Sequence, residues 1–204
     1  TVEYVSGEDE SSEFLPPVLQ EIPKKEIPSK EGDFIKAEET VTITGYNGKA
    51  ANLQIRWSEP GLFPSNAYQR NGFIKFDLSN TNLQEATVAR LWVHSDCYLD
   101  ALDQNVPVDI YETDNNWSVN SINTPGPEMK TLLDSKVVHK FGWVSFDITS
   151  AVNRALQEET LLSLGIRHKF EDSRSYNEFS GVEDNNPPYV ELIYYENGAP
   201  VTGV

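Results

Sequence analysis

The sequence predicts an all-β protein, a jelly-roll-like antiparallel β-sandwich with one short crossover helix. Three observations predict it. From Gly32 onward, short runs of alternating apolar and polar residues recur, the period-two mark of half-buried strands. Gly, Asn, Asp or Pro bounds each run, as turns require. Only one segment has helical spacing, so strands do not alternate with helices as they do in a parallel α/β fold.

Taken in order, residues 1–31 stand apart. They hold Pro16, Pro17, Pro23 and Pro28, with eight acidic and three basic residues, and read as an extended linker or N-terminal arm. Within them, Val2, Tyr4 and Val5 suit the last strand of a preceding domain. The sandwich is expected over 32–196. LQIRW (53–57) alternates Leu53, Ile55 and Trp57 against Gln54 and Arg56, and FIKFDL (73–78) sets Ile74, Phe76 and Leu78 against Phe73, Lys75 and Asp77. VARLWVHS (88–95), VPVDIYE (106–112), GWVSFDI (142–148), LSLGIRHKF (162–170) and PYVELIYY (188–195) follow the same rule. TSAVNRALQEE (149–159) is the helix, with Thr149 or Ser150 as its cap and Val152, Ala155 and Leu156 as its apolar stripe,. Residues 197–204, NGAPVTGV, are expected to begin a linker to a following domain.

Bulk composition narrows the function classes. At 204 residues the chain suffices for one large sandwich or two small domains, and one core of that size needs no disulfide. No apolar stretch reaches the roughly 18 residues of a membrane span. A net charge of -16 argues against nucleic acid and against an anionic membrane surface as partners. The single cysteine, Cys97, excludes an intrachain disulfide framework and a cysteine-ligated zinc site. The opening TVEYVSGEDE is acidic where a leader would be basic, so we expect a removed leader or an excised piece.

Several segments together resemble the DNRLRE-type domain, a jelly-roll relative of carbohydrate-binding modules. They are RNGFIKFDLSN (70–80) followed by ATVARLWV (86–93), NNWSVNSINTPGP (115–127), GWVSFDITSAV (142–152), SLGIRHKF (163–170) and FSGVEDNNPPYVELIYY (179–195). The sequence departs from the family at 180–183, where Ser180-Gly181-Val182-Glu183 lacks the usual arginine. The resemblance implies a jelly roll, a secreted or cell-surface bacterial setting beside other domains, and glycan binding. It also implies structural roles for Trp117 and Trp143. Jelly-roll modules often hold a structural calcium ion through loop oxygens, and Asp33, Glu38 and Asp184 are candidate ligands.

No constellation for catalysis emerges. Glycoside hydrolysis needs two facing carboxylates, and the pairs Glu171/Asp172 and Glu183/Asp184 lie in loops where acids are solvated. His94 and Asp96 are two apart on a strand, with Cys97 on the opposite face, so no nucleophile relay is expected. The outward strand positions are more informative. Arg56, Lys75, Arg90, Trp92, His94, Tyr111, Arg167 and Lys169 are the candidate carbohydrate-binding residues. Five of the sixteen Lys and Arg lie among them, and cations beside rings suit an acidic sugar. Long basic stems covering exposed sheet would give the same pattern. Two functions therefore stand: a non-catalytic module binding an acidic polysaccharide, or a structural spacer that self-associates by lending residues 1–31 as a strand.

Overall fold

The computed structural model describes residues 33–44, 49–50, 52–56, 70–79, 83, 85–99, 107–123, 125–138, 141–169, 176–196 and 199–201. The expected arm at 1–31, with its strand lending, lies outside them, as do Trp57 and the Glu171/Asp172 pair. Among the described residues thirteen strands form: β1 (Asp33–Lys36), β2 (Glu39–Thr44), β3 (Lys49–Ala50), β4 (Leu53–Arg56), β5 (Arg70–Asp77), β6 (Val88–Leu99) and β7 (Pro107–Thr113). β8 (Met129–Val137), β9 (Gly142–Asp147), β10 (Leu161–His168), β11 (Tyr176–Phe179), β12 (Tyr189–Glu196) and β13 (Ala199–Val201) complete the set, with one helix, α1 (Thr149–Gln157).

The strands pair antiparallel in one continuous ladder, β1-β12-β6-β11-β4-β5-β10-β7-β8, which curls over itself into two facing layers. β6 organises the front layer. One edge takes β12 along Val88–Trp92 and β11 along Ser95–Leu99, while the other takes β9. β2, β5, β10, β7 and β8 make the back layer. The layers join where Arg56 of β4 pairs with Arg70 of β5.

The core lies between the layers because alternation turns one residue in two inward. Ile55, Ile74, Phe76, Leu91, Val93, Val108, Ile110, Leu164 and Ile166, all expected there, are buried in one cluster with Phe146, Phe179, Val190 and Leu192. Each such side chain contributes about 1.5–3 kcal/mol through removal from water. A smaller cluster of Val41, Ile43, Phe73, Trp117 and Ile122 sits on the outer surface of the back layer, where the 114–128 loop lies across β2 and β5. Gly126 makes that approach possible: it has φ +85, and a Cβ there would meet the Phe73 ring at 2.7 Å.

The helix closes one end with Ala151, Val152, Ala155 and Leu156 buried. Neither Thr149 nor Ser150 is its N-cap; Ile148 occupies that position without a side-chain cap. Asp147 Oδ1 instead accepts from the Thr149 N–H at 3.0 Å, because the acid at the end of β9 reaches the first turn. Thr149 Oγ1 meanwhile accepts from the Ala89 N–H at 2.9 Å. Asn153 clamps Ala86, accepting from its N–H and donating to its carbonyl, both at 2.9 Å.

At the side of the sandwich β8 and β9 come together through side chains. Asp134 Oδ2 accepts from the Asp147 N–H at 2.9 Å, and Lys136 Nζ donates to the Ser145 carbonyl at 2.6 Å. At the C-terminus, Ala199–Val201 pair back on Tyr194–Glu196.

Candidate functional site

Alternation and register place the outward side chains of the front layer. β12 turns Val190 and Leu192 into the core and Tyr189 and Glu191 out, and β6 turns Leu91 and Val93 in and Arg90, Trp92 and His94 out. β9 turns Val144 and Phe146 in and Trp143, Ser145 and Asp147 out. Across the strands these residues form rows. Phe34, Glu191, Arg90 and Asp147 make one, Lys36, Tyr189, Trp92 and Ser145 the next, and His94 stands beside Trp143 in the third.

The rings of these rows touch. Tyr189 is the hub, with its centroid 5.4 Å from Phe34, 6.4 Å from Trp92 and 5.1 Å from Trp143. Trp143 in turn meets His94 edge-on at 5.3 Å. Phe34 is 42% exposed, and Tyr189 and Trp143 are half-buried. His94 is held from one side: its Nδ1 lies 2.7 Å from Asp96 Oδ1, and Asp96 Oδ2 accepts from Ser180 Oγ at 2.7 Å. The Tyr189 hydroxyl is pushed well above its ordinary pKa by burial first and by the charge of Glu191 second, so the phenol stays neutral and able to donate.

Trp92 corrects the expectation that it is the stacking ring. It lies on the outward side of β6, yet it is 1% exposed, beneath the surface formed by its neighbours. A buried indole needs a partner for its N–H, and Trp92 Nε1 donates to Glu191 Oε2 at 2.8 Å. Trp92 is the floor of the ring cluster, and Trp143 and Tyr189 present the reachable surface. The alternation of PYVELIYY already puts Tyr189 outward; its meeting with Trp143 depends on cross-strand register, which the linear pattern does not carry.

The other expected binding residues divide between surfaces. Arg56, Arg90, Trp92 and His94 share the outer face of the front layer, whereas Lys75, Tyr111 and Arg167 belong to the opposite, back layer. The eight residues therefore do not form one site. Lys75 is 4% exposed and is also corrected. Its Nζ donates to the Trp117 carbonyl, lies 4.3 Å from the Trp117 ring centroid and sits 3.7 Å from Glu39 Oε1. The 114–128 loop, not a ligand, uses that cation. Arg167 stands 4.6 Å from the Tyr111 ring centroid and donates to its hydroxyl at 3.2 Å. One face of that ring thus already carries the protein's own cation. The Tyr111 hydroxyl donates to buried Asp109 at 3.1 Å. Lys169 is exposed just beyond β10, with its backbone N–H on the Pro107 carbonyl.

Trp117 is buried and edge-on to Phe73 at 6.1 Å, so it fastens the loop to the sheet. Asp184 uses a carboxylate oxygen to accept from the Gly181 N–H at 2.6 Å, a turn contact. Among the described residues no three His, Cys, Asp or Glu side chains gather as a metal-holding group.

The front face is a shallow ring surface edged with hydrogen-bonding groups, suited to the apolar faces and hydroxyl edges of sugars. The family model described as carbohydrate-binding module family 96 matches residues 40–194, nearly the whole sandwich. No curated protein matches the sequence. The chain belongs to carbohydrate-binding module family 96, and is a non-catalytic domain that binds carbohydrate.

Proposed function

We propose that the outer face of the front layer is where the module holds its polysaccharide, with an acidic glycan preferred. The observation that carries this reading is the contiguous run Phe34, Tyr189, Trp143 and His94 on one outward surface. Rings of this kind cover the C–H faces of sugars. Arg90 and Lys36 stand in the adjoining rows and can donate charge-assisted hydrogen bonds to a uronate or sulfate. Glu191 and Asp147 lie opposite Arg90 on its two neighbouring strands, which favours a fixed guanidinium. The proposal includes a secreted or cell-surface multidomain parent, since polymeric glycans lie outside the cell and such a module serves by holding its neighbours near them.

Affinity electrophoresis through gels containing alginate, pectin, a heparin-like glycan or neutral glycans tests this. The intact chain should be retarded by at least one acidic polymer, and Trp143→Ala should weaken that retardation about tenfold through loss of stacking. Unretarded mobility in every gel would sink the proposal. Retardation that survives Trp143→Ala would move the site to another face.

A further inference from the structure

We propose that His94 reads the charge of the glycan: its Nε2 donates to a carboxylate or sulfate when the ring is protonated and accepts from a hydroxyl when the ring is neutral. The inference rests on the front-face reading above, and adds to it the discriminating group and a dependence on pH.

One ring nitrogen is already committed. His94 Nδ1 lies 2.7 Å from Asp96 Oδ1, and an ionised carboxylate can only accept, so Nδ1 carries a proton in both charge states. The neutral ring is thereby fixed with its lone pair on Nε2, and the second proton enters only there. The atom left for a ligand changes from acceptor to donor in one step.

Asp96 is itself held. Its Oδ2 accepts from Ser180 Oγ at 2.7 Å, and the Ser180 N–H donates to the His94 carbonyl at 3.0 Å. Ser180 thus ties both the backbone of His94 and the carboxylate that orients its ring. Because Ser180 bonds Asp96 and not the imidazole, the trio orients a ring instead of activating a hydroxyl. Across the ladder the ring meets Trp143 edge-on at 5.3 Å. The His94 side chain is still 23% exposed, so a sugar lying over Trp143 and Tyr189 brings its edge to that corner.

Among the described residues, the other titratable and charged groups on the elements packed against His94 are Arg90 and Asp96 on β6, Asp147 on β9 and Glu178 on β11. Glu183 and Asp184 follow in the turn after Ser180, and Tyr189 and Glu191 on β12. Burial and the charge of Glu191 keep the Tyr189 phenol neutral. Histidine is the side chain that ordinarily changes charge between about pH 5 and 8, and His94 is the described histidine on this face.

The test runs the full chain, His94→Gln, Asp96→Asn and Trp143→Ala through gels holding a polyuronate, a sulfated galactan, a neutral galactan or no polymer. Runs at about pH 5.5 and about pH 8 leave carboxylate and sulfate groups ionised throughout. Relative to polymer-free gels, wild-type retardation by an anionic polymer should be about tenfold stronger at the lower pH, the difference between a charge-assisted and an ordinary hydrogen bond. Retardation by the neutral galactan should not rise. His94→Gln, whose amide remains a neutral donor, should be retarded alike at both pH values. A response to one anionic polymer alone assigns its group, carboxylate or sulfate. A wild type indifferent to pH, an equal rise in the neutral gel, or a His94→Gln variant that keeps the wild-type response overturns the inference. Sensitivity to Trp143→Ala at the higher pH would then leave the front-face reading standing, whereas unretarded mobility in every gel sinks both. A second readout needs no polymer, because ring nitrogen chemical shifts report the tautomer. The neutral His94 ring should be the Nδ1–H form in the wild type and a mixture in Asp96→Asn with wild-type circular dichroism. An Nε2–H form in the wild type would also overturn the inference.

Discussion

Lys75 turns its charge inward, and the sequence pattern does not reveal this. Alternation correctly points it away from Ile74 and Phe76, but whether an outward position is open depends on what crosses above it. Here the crossing segment brings Trp117, whose carbonyl and ring both engage the ammonium. Trp92 was hidden for a related reason, its floor position being set by Tyr189 from a distant strand. Lys75→Ala should cost about 2–3 kcal/mol in chemical denaturation, because Glu39 and the Trp117 carbonyl lose a charged partner. Retardation by glycans should not change, which separates the loop-fastening role from a binding one. Glu159 offers the opposite sign. It follows the helix at φ 49, a left-handed conformation that costs an L side chain about 1 kcal/mol. Glu159→Gly should therefore raise stability by about that amount in the same measurement; a loss would show that the Glu159 side chain matters more than its backbone.

The elements legible in the sequence are those with one face in the shared core. β4, β5, β6, β7, β9, β10 and β12 begin and end within a few residues of their expected bounds, and the stripe of α1 is buried as expected. β8 escaped because it lies at the end of the ladder, with Leu132 and Val137 exposed, so its apolar residues do not alternate with burial. β2 alternates Thr40 and Thr42 with Val41 and Ile43. Both of its faces are buried, the threonines in hydrogen bonds on one side and Val41 and Ile43 under the loop on the other. β11 buries polar Asn177 along with Phe179, so its inward face does not read as apolar. Beside its buried stripe, the helix is tied to the chain just before β6 by Asn153, which satisfies both backbone groups of Ala86. Asn153→Ala should destabilise the fold by about 1–3 kcal/mol, the range for leaving buried backbone groups unpaired. Thermal unfolding unchanged within about 0.5 kcal/mol would show that water replaces the amide.

Over the whole molecule the two outer faces have different uses. The back face is largely taken up by its own parts: a loop seated on Phe73, a lysine under Trp117 and an arginine over Tyr111. The front face keeps rings at its surface and arginines along its length, in a protein whose net charge is -16. An anionic polymer would approach against that overall charge, so its capture depends on local pairing more than on long-range steering. The seam between β8 and β9 adds a mechanical consequence. There the layers meet through Asp134 and Lys136 reaching the backbone of β9, while every interstrand ladder stays within its own pairing. A side chain can swing aside by rotamer change on a far shorter timescale than a strand can peel away. The sandwich can therefore breathe along this seam, exposing the Asp147 amide to solvent exchange while the ladder on the other side of β9 remains closed.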